Sequence, residues 1–284
     1  MQTIKRRLMT NYTDQKHIAL QIARIRKQQL NSDQFQSALR NIVSGIDLTS
    51  LNATDNDGHI KDLCEKALSV ENPGKHIPPV AACCVYPNLV GSAKDLLKNS
   101  DISLASVAGG FPSGQTHLEI KKQEVQFALD QGADEIDMVI SRGKFLAGQL
   151  DEVATEISTL KSLCGQKHLK VIIETGELKT AENVKKASLL AMHSGADFIK
   201  TSTGKSQPAA TPEAFFVMLH AIREYFYETG KKVGAKAAGG ISDAETAVIY
   251  QQLTREILGE HWLSKSLFRI GASKLLDDIV AKIK

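Results

Sequence analysis

The sequence has few cysteines, no long apolar run and no block of like charge. Its four cysteines lack the spacing of a metal site, and the adjacent Cys83 and Cys84 would face opposite ways on a strand. We therefore expect free thiols in a reducing cytoplasm. No stretch approaches the roughly 20 apolar residues of a membrane span. No apolar signal core follows the basic residues 5–7.

Charge and histidine usage exclude further partners. The formal net charge is only +3 and no long basic or acidic run occurs, so neither nucleic acid nor an anionic membrane is expected as a partner. The histidines, among them His59, His117, His168 and His193, are scattered without ligand spacing. We expect no metal and no other cofactor.

What is present is a repeated alternation of short apolar strands and amphipathic helices. Strands are predicted at 43–48, 80–86, 102–108, 135–140, 169–174, 197–201, 233–238 and 268–271, and helices at 59–68, 89–97, 116–130, 150–163, 181–192, 212–227, 243–258 and 273–283. Eight such units imply a parallel sheet with right-handed crossovers. They predict an α/β fold, a (β/α)8 TIM barrel spanning residues 42–284. An open doubly wound sheet, the competing arrangement, usually has fewer strands.

Residues 1–41 are predicted to form an N-terminal helical extension. Asp14 can cap a helix that carries Ile18, Ile22 and Ile25 on one face, and a second helix starts at Ser32. The two helices could close the bottom of the barrel, form a contact in a homo-oligomer such as a dimer, or serve packing alone.

Polar residues lie near the carboxyl ends of several predicted strands, where barrels of this type place their active sites. They are Asp47, Cys84, Asp137, Lys170, Lys200 and Lys236. Lys200 and Lys236 stand among apolar or small strand residues, in matching register, so a surface position does not suit them. For Lys170 surface exposure stays an alternative, because it sits near the start of its predicted strand.

Two neighbouring lysines and a carboxylate predict amine catalysis. A lysine attacks a carbonyl only when neutral, and its ordinary pKa is about 10.4. Burial and the charge of Lys236 would both lower the pKa of Lys200. Asp137 is the best candidate to move protons between hydroxyl, water and enamine.

Three sets of small and polar residues at successive strand ends predict a phosphate site. Glycine lets the backbone approach an anion, and the loops after strands seven and eight are the usual phosphate site of these barrels. The residues are Gly204 and Lys205, Gly239 and Gly240, and Gly271 and Ser273. Together with the lysines they predict a small phosphorylated carbonyl compound as substrate.

At this point residues 43–283 resemble the deoxyribose-phosphate aldolases, which are class I aldolases. The shared motifs are Asp47-Leu48-Thr49-Ser50-Leu51, Cys84-Val85-Tyr86-Pro87, Gly132-Ala133-Asp134-Glu135-Ile136-Asp137, Glu174-Thr175-Gly176-Glu177-Leu178, Phe198-Ile199-Lys200-Thr201-Ser202-Thr203-Gly204-Lys205, Lys236-Ala237-Ala238-Gly239-Gly240 and Phe268-Arg269-Ile270-Gly271-Ala272-Ser273. The first forty residues resemble the preface of the longer members of that family.

The resemblance implies reversible cleavage of 2-deoxy-D-ribose 5-phosphate to acetaldehyde and D-glyceraldehyde 3-phosphate, in deoxyribonucleoside catabolism. It makes Lys200 the Schiff-base residue, Lys236 the lysine that perturbs it and Asp137 part of the proton relay. Asp47 and Cys84 would line the site in supporting roles, as would Lys170.

Three positions depart from the family pattern. Ala237 replaces a common proline, Ser242 replaces a common arginine, and Lys274 stands where a small polar residue is common. Loss of the arginine should weaken phosphate binding, and Lys274 would restore part of the charge.

Other functions remain open from the sequence. One is a different Schiff-base aldolase, either transaldolase-like or acting on a 2-keto-sugar phosphate. A second is a barrel that binds phosphosugars without catalysis, and a third is a metal-dependent aldolase.

Overall fold

The computed structural model describes residues 12–284, and within them eight parallel strands close into a barrel in sequence order. The strands are β1 (Ile46–Thr49), β2 (Ala82–Val85), β3 (Ser103–Ala108), β4 (Glu135–Val139), β5 (His168–Ile172), β6 (Phe198–Lys200), β7 (Gly234–Ala238) and β8 (Phe268–Ala272). Strand β8 pairs with β1 and completes the ring. The predicted TIM barrel is confirmed.

Helices cover the outside of the barrel and connect its strands. They are α1 (Gln15–Arg26), α2 (Ser32–Ser44), α3 (Asp57–Ser69), α4 (Val90–Leu97), α5 (Leu118–Asp130), α6 (Arg142–Leu146), α7 (Leu150–Cys164), α8 (Thr175–Leu178), α9 (Ala181–His193), α10 (Pro212–Thr229), α11 (Ala244–Leu258) and α12 (Leu275–Lys282). Short 3-10 turns occupy Pro73–Lys75, Pro87–Leu89 and Glu260–Trp262.

Side chains alternate along each strand, so one face of the strand packs against the helices and the other face points into the barrel. In β4, Ile136 and Met138 join the large apolar core that the helices cover. Glu135 and Asp137 lie on the opposite face and are buried inside the barrel. The barrel interior is therefore partly charged, and each charge there requires a partner.

Most strand ends differ by one to three residues from those predicted, and two of these differences affect the site or its neighbours. Strand β1 begins at Ile46 and not at Val43, because helix α2 continues to Ser44. Strand β5 runs from His168 to Ile172, so Lys170 lies in its middle. It pairs there with Asp137 and is fully buried. The surface alternative for Lys170 is therefore wrong.

The helices preceding the barrel form where the sequence predicts them. The Asp14 side chain accepts a hydrogen bond from the backbone N–H of His17 at 2.7 Å and caps α1. Its three isoleucines are buried, and the helix packs against α10 and α11. Helix α2 packs against α11 and α12. Residues 1–11 of the predicted extension lie outside the described residues.

Among residues 12–284, no helix is both long enough and apolar enough to cross a membrane.

Candidate active site

The register between β6 and β7 brings two buried lysines together. Lys200 and Lys236 are directly paired across the two strands. The Nζ of Lys200 lies 2.8 Å from Asp137 Oδ2, and the Nζ of Lys236 lies 2.7 Å from the same oxygen. The expected trio is thus assembled around one carboxylate oxygen.

Asp137 binds a third lysine through its other oxygen. Lys170 Nζ lies 2.9 Å from Asp137 Oδ1. Burial alone would raise the pKa of this carboxyl, but the charges of Lys170, Lys200 and Lys236 outweigh burial and hold the pKa of Asp137 well below its ordinary value. Asp137 is therefore ionised and can accept hydrogen bonds from all three lysines.

The two paired lysines differ in their tendency to carry charge. Burial lowers the pKa of Lys200, Asp137 opposes this, and the charge of Lys236 acts with burial, so the pKa of Lys200 lies below its ordinary value. Burial would also lower the pKa of Lys236, but Asp137 and Asp47 outweigh it and raise that pKa. Lys200 is thus the amine that loses its proton first, while Lys236 stays an ammonium.

A second group of buried charges lies beside the lysine cluster. It includes Arg269 and Glu135, to which the sequence patterns assigned no role. Arg269 donates to Asp47 Oδ1 at 2.6 Å and to Glu135 Oε1 at 2.8 Å. Asp47 also binds Lys236, and Glu135 binds Lys170. Arg269 stands between two apolar residues of a strand, which is the same signal that singled out Lys200.

A cavity of about 540 Å³ opens at the carboxyl ends of β6, β7, β8 and β1. Of the three described lysines that contact Asp137, only Lys200 lines it. The six predicted phosphate-site residues also line it: Gly204, Lys205, Gly239, Gly240, Gly271 and Ser273. The cavity therefore places the amine of Lys200 beside the loops that carry the predicted phosphate residues.

The loops on the phosphate side approach each other closely. Gly239 has a φ of +90°, and a Cβ added there would lie 3.1 Å from the Cα of Gly204 and 2.7 Å from the Cβ of Ala209. Only glycine fits without strain or displacement. The Lys205 side chain donates to the carbonyl oxygen of Leu51, and so spans the cavity from the loop after β6 to the loop after β1.

Asp47 and Cys84 do not line this cavity in the described part of the chain. Both are fully buried. Burial raises the pKa of the Cys84 thiol, which disfavours the thiolate. Asp47 acts on the site through Lys236, and Cys84 packs with small apolar residues of β2 and β3.

The three departures from the family pattern occupy different places. Ser242 and Lys274 line the cavity, so Lys274 brings a cation to the side where the arginine is missing. Ala237 lies on the outer face of β7, in the apolar core. Among residues 12–284, no cluster of histidine, cysteine and acidic side chains is arranged to hold a metal ion.

Comparison with known proteins places the chain in a family. A family model described as DeoC/LacD family aldolase matches residues 42–256. The chain is 46% identical over 261 residues to a deoxyribose-phosphate aldolase from Homo sapiens, covering 88% of this chain and 82% of that protein. The protein of the same name from Mus musculus gives the same identity and coverage.

A solved structure shows the same fold. The deoxyribose phosphate aldolase from Aeropyrum pernix superposes with a TM-score of 0.67 at 23% identity, covering 89% of this chain and 97% of that one. Three observations support the same family assignment. They are the closed barrel, the buried lysines around Asp137, and the family match over residues 42–256. The chain belongs to the DeoC/LacD family of aldolases.

Proposed function

We propose that this protein is a class I aldolase that reversibly cleaves 2-deoxy-D-ribose 5-phosphate to acetaldehyde and D-glyceraldehyde 3-phosphate. The observation that carries the proposal is the position of Lys200. The pKa of its amine is lowered, and it lines the cavity that the candidate phosphate residues surround. An aldehyde carbon at Lys200 and a phosphate at the glycine loops can be held in one cavity.

The first step joins substrate and enzyme. The neutral amine of Lys200 attacks the C1 aldehyde of the open-chain sugar, and loss of water leaves a protonated imine. Lys236, held as an ammonium by Asp137 and Asp47, keeps Lys200 neutral before attack. This ion-paired position suits Lys236 to a perturbing role and not to attack on the carbonyl.

The second step breaks the C2–C3 bond. A base removes the proton of the C3 hydroxyl, C3 becomes the aldehyde of glyceraldehyde 3-phosphate, and the bonding electrons pass to C2 to form an enamine on Lys200. Asp137 lies within hydrogen-bond distance of the Lys200 nitrogen, so we assign it to the relay that moves this proton. Protonation of the enamine at C2 and hydrolysis of the imine release acetaldehyde and restore the amine.

The phosphate binds at the other side of the cavity. Gly204, Gly239, Gly240, Gly271 and Ser273 offer backbone or hydroxyl donors there, and Lys205 adds a cation. We assign Asp47, Cys84 and Lys170 supporting roles, because each is buried among the charged groups or beside them and none lines the described cavity.

A substrate panel tests the proposal against other aldolases. Acetaldehyde release from deoxyribose 5-phosphate should exceed product release from a 2-keto-3-deoxy-sugar phosphate or a ketose phosphate by at least about a hundredfold in kcat/KM. The reason is that one cavity must place the carbonyl at Lys200 and the phosphate at the glycine loops at the same time. A preference for either other substrate would contradict the assignment. No turnover with any of them would favour a binding protein.

We also propose a cytoplasmic location. All four cysteines are free thiols and all are buried, and none needs an oxidising compartment for the fold. The oligomeric role of helices α1 and α2 stays a prediction, as does the boundary of the extension at residue 41.

A further inference from the structure

A second buried carboxylate lies outside the lysine cluster, beyond the end of β5. Glu174 is fully buried and has a left-handed backbone conformation, with φ 54° and ψ 64°. Residues other than glycine rarely adopt this conformation. Burial also raises the pKa of Glu174, since it disfavours the carboxylate. Both the burial of the acid and its left-handed backbone cost free energy. The contacts that offset these costs therefore indicate the role of Glu174.

The contacts of Glu174 converge on Thr203, which follows β6. The backbone N–H of Thr203 lies 3.2 Å from each carboxylate oxygen. The Thr203 hydroxyl donates to Oε2 at 2.5 Å. The backbone N–H thus contacts both carboxylate oxygens and the hydroxyl contacts one of them, and these hydrogen bonds favour the ionised form. Glu174 therefore fixes both the backbone and the side chain of Thr203.

Thr203 passes this constraint to the candidate phosphate loop. Because its hydroxyl donates to Glu174, its lone pairs point away and accept the N–H of Lys205 at 3.1 Å. The N–H groups on both sides of Gly204 are thus occupied within the protein. Among the described residues, none accepts a hydrogen bond from the N–H of Gly204. Gly204 lines the cavity, so its N–H is a candidate donor to an anion bound there.

Arg142 pairs with Glu174 and, together with the hydrogen bonds from Thr203, opposes the effect of burial on its pKa. Its Nη1 lies 3.0 Å from Glu174 Oε2, and its Nε lies 2.9 Å from Glu177. Its Nη2 donates to the carbonyl oxygen of Ser113 at 3.0 Å. Arg142 follows β4 and contacts Ser113 in the loop after β3 and Glu177 in the segment after β5. Through Glu174 it is also linked to the loop after β6.

We propose that Glu174 is a positioning residue for the phosphate loop: it acts through Thr203 to orient Gly204 and Lys205, and it sets affinity for the phosphate group without taking part in the chemistry at Lys200. The inference rests on the proposed function, since it presupposes a phosphorylated substrate. Glu174 touches no reacting atom, and its effect should separate binding of phosphate from turnover.

The test is the substitution Glu174→Gln, which keeps the shape and removes the charge. KM for deoxyribose 5-phosphate should rise about tenfold, because charge-assisted hydrogen bonds that order the loop are lost. For 2-deoxyribose, which lacks the phosphate, kcat/KM should change less than about twofold. An equal loss for both substrates, or no loss for either, would overturn the inference.

The matched control is Asp197→Asn at the opposite end of β6. Asp197 also accepts a backbone N–H, from Leu169, and pairs with a cation, Lys161, so its side-chain contacts lie away from the loop after β6. It should leave both substrates unaffected. Wild-type protein is measured first: failure to cleave deoxyribose 5-phosphate there would sink the proposed function, whereas normal wild-type cleavage with no substrate split in the variant would sink only the role of Glu174.

A second variant keeps the proposal testable if Glu174→Gln does not fold. Thr203→Val preserves volume and removes the hydroxyl that links Glu174 to Lys205. It should show the same split between phosphorylated and free sugar. The double variant should lose no more than the more severe single variant, because both changes break one chain of contacts. Independent, additive losses would contradict action through Thr203.

Discussion

At Lys200, burial and two charged neighbours set the pKa on which its proposed role as the nucleophile depends. Burial and Lys236 lower the pKa of Lys200, while Asp137 acts in the other direction. Lys236 sits between two carboxylates and has the opposite shift. The two pKa values differ because the lysines have different numbers of acidic partners. Burial does not explain the difference, since both side chains are almost completely buried.

Replacement of Lys236 by methionine should move the activity profile to higher pH. Lys200 reacts above its pKa, where it is neutral, and loss of the neighbouring cation raises that pKa. The acidic limb of the kcat/KM profile should therefore shift upward by about one pH unit or more, with lower activity at neutral pH. Profiles measured from pH 5 to 10 for both proteins test this. An unshifted limb at reduced height would show that Lys236 acts in another way.

The sequence pattern predicted the two lysines of the site but not the buried arginine beside them. A lysine between apolar neighbours in a strand identified Lys200 and Lys236. Arg269 shows the same pattern, but its partners lie on β1 and β4, and pairings between distant strands depend on the closed register of the barrel. Without that register nothing indicated that Arg269 serves two buried acids.

At the scale of elements, strand register assembles the amines and loops assemble the phosphate side. The alternation of apolar residues was enough to place Lys200 opposite Lys236, which the pairing of β6 with β7 confirms. The start of β5 was harder to predict, because His168 extends the strand and carries Lys170 into its middle. The left-handed backbone of Glu174 just after this strand also breaks the simple alternation that the sequence suggests.

Replacement of Gly239 by alanine should weaken phosphate binding. The positive φ makes any side chain costly, by about 1–2 kcal/mol, and the new Cβ would also push against Ala209 and the loop at Gly204. KM for deoxyribose 5-phosphate should rise at least about fivefold, as expected when a loop that must approach an anion closely is displaced. Steady-state kinetics with the phosphorylated and free sugars measure the effect.

The matched control for that change is Gly259→Ala. Gly259 has nearly the same φ, +91°, but an added Cβ would meet nothing within 4 Å. It should lose similar stability and keep its KM. If both variants changed KM equally, general strain and not the contact between loops would explain the result.

For the whole molecule, the charged interior makes stability depend on complete pairing. Asp47, Glu135 and Asp137 are buried and ionised, and their pKa values are lowered because cations outweigh the effect of burial. A lowered pKa contributes stability above the ordinary pKa near 4, and this contribution is lost as the pH falls. The barrel should therefore be most stable near neutral pH and weaken on acidification.

Replacement of Arg269 by methionine should destabilise the fold by about 3–5 kcal/mol at pH 7, because it leaves two buried carboxylates without their shared cation. The loss should shrink on acidification, because the two carboxylates take up protons at a higher pH in the variant than in the wild type, where Arg269 helps to hold their pKa values low. Denaturant unfolding at several pH values measures it. Arg24→Met, which breaks an exposed ion pair with Glu256, is the control and should cost less than about 1 kcal/mol. A loss independent of pH would contradict the electrostatic explanation.

The most direct test of the account is chemical trapping of the imine. The protein is incubated with acetaldehyde, reduced with borohydride and digested, and the modified lysine is located by mass spectrometry. We expect one ethyl group on Lys200, absent from the Lys200→Met variant, because Lys200 has a lowered pKa and lines the cavity. An adduct on Lys236 or Lys170 in place of Lys200, or no adduct at all, would contradict it.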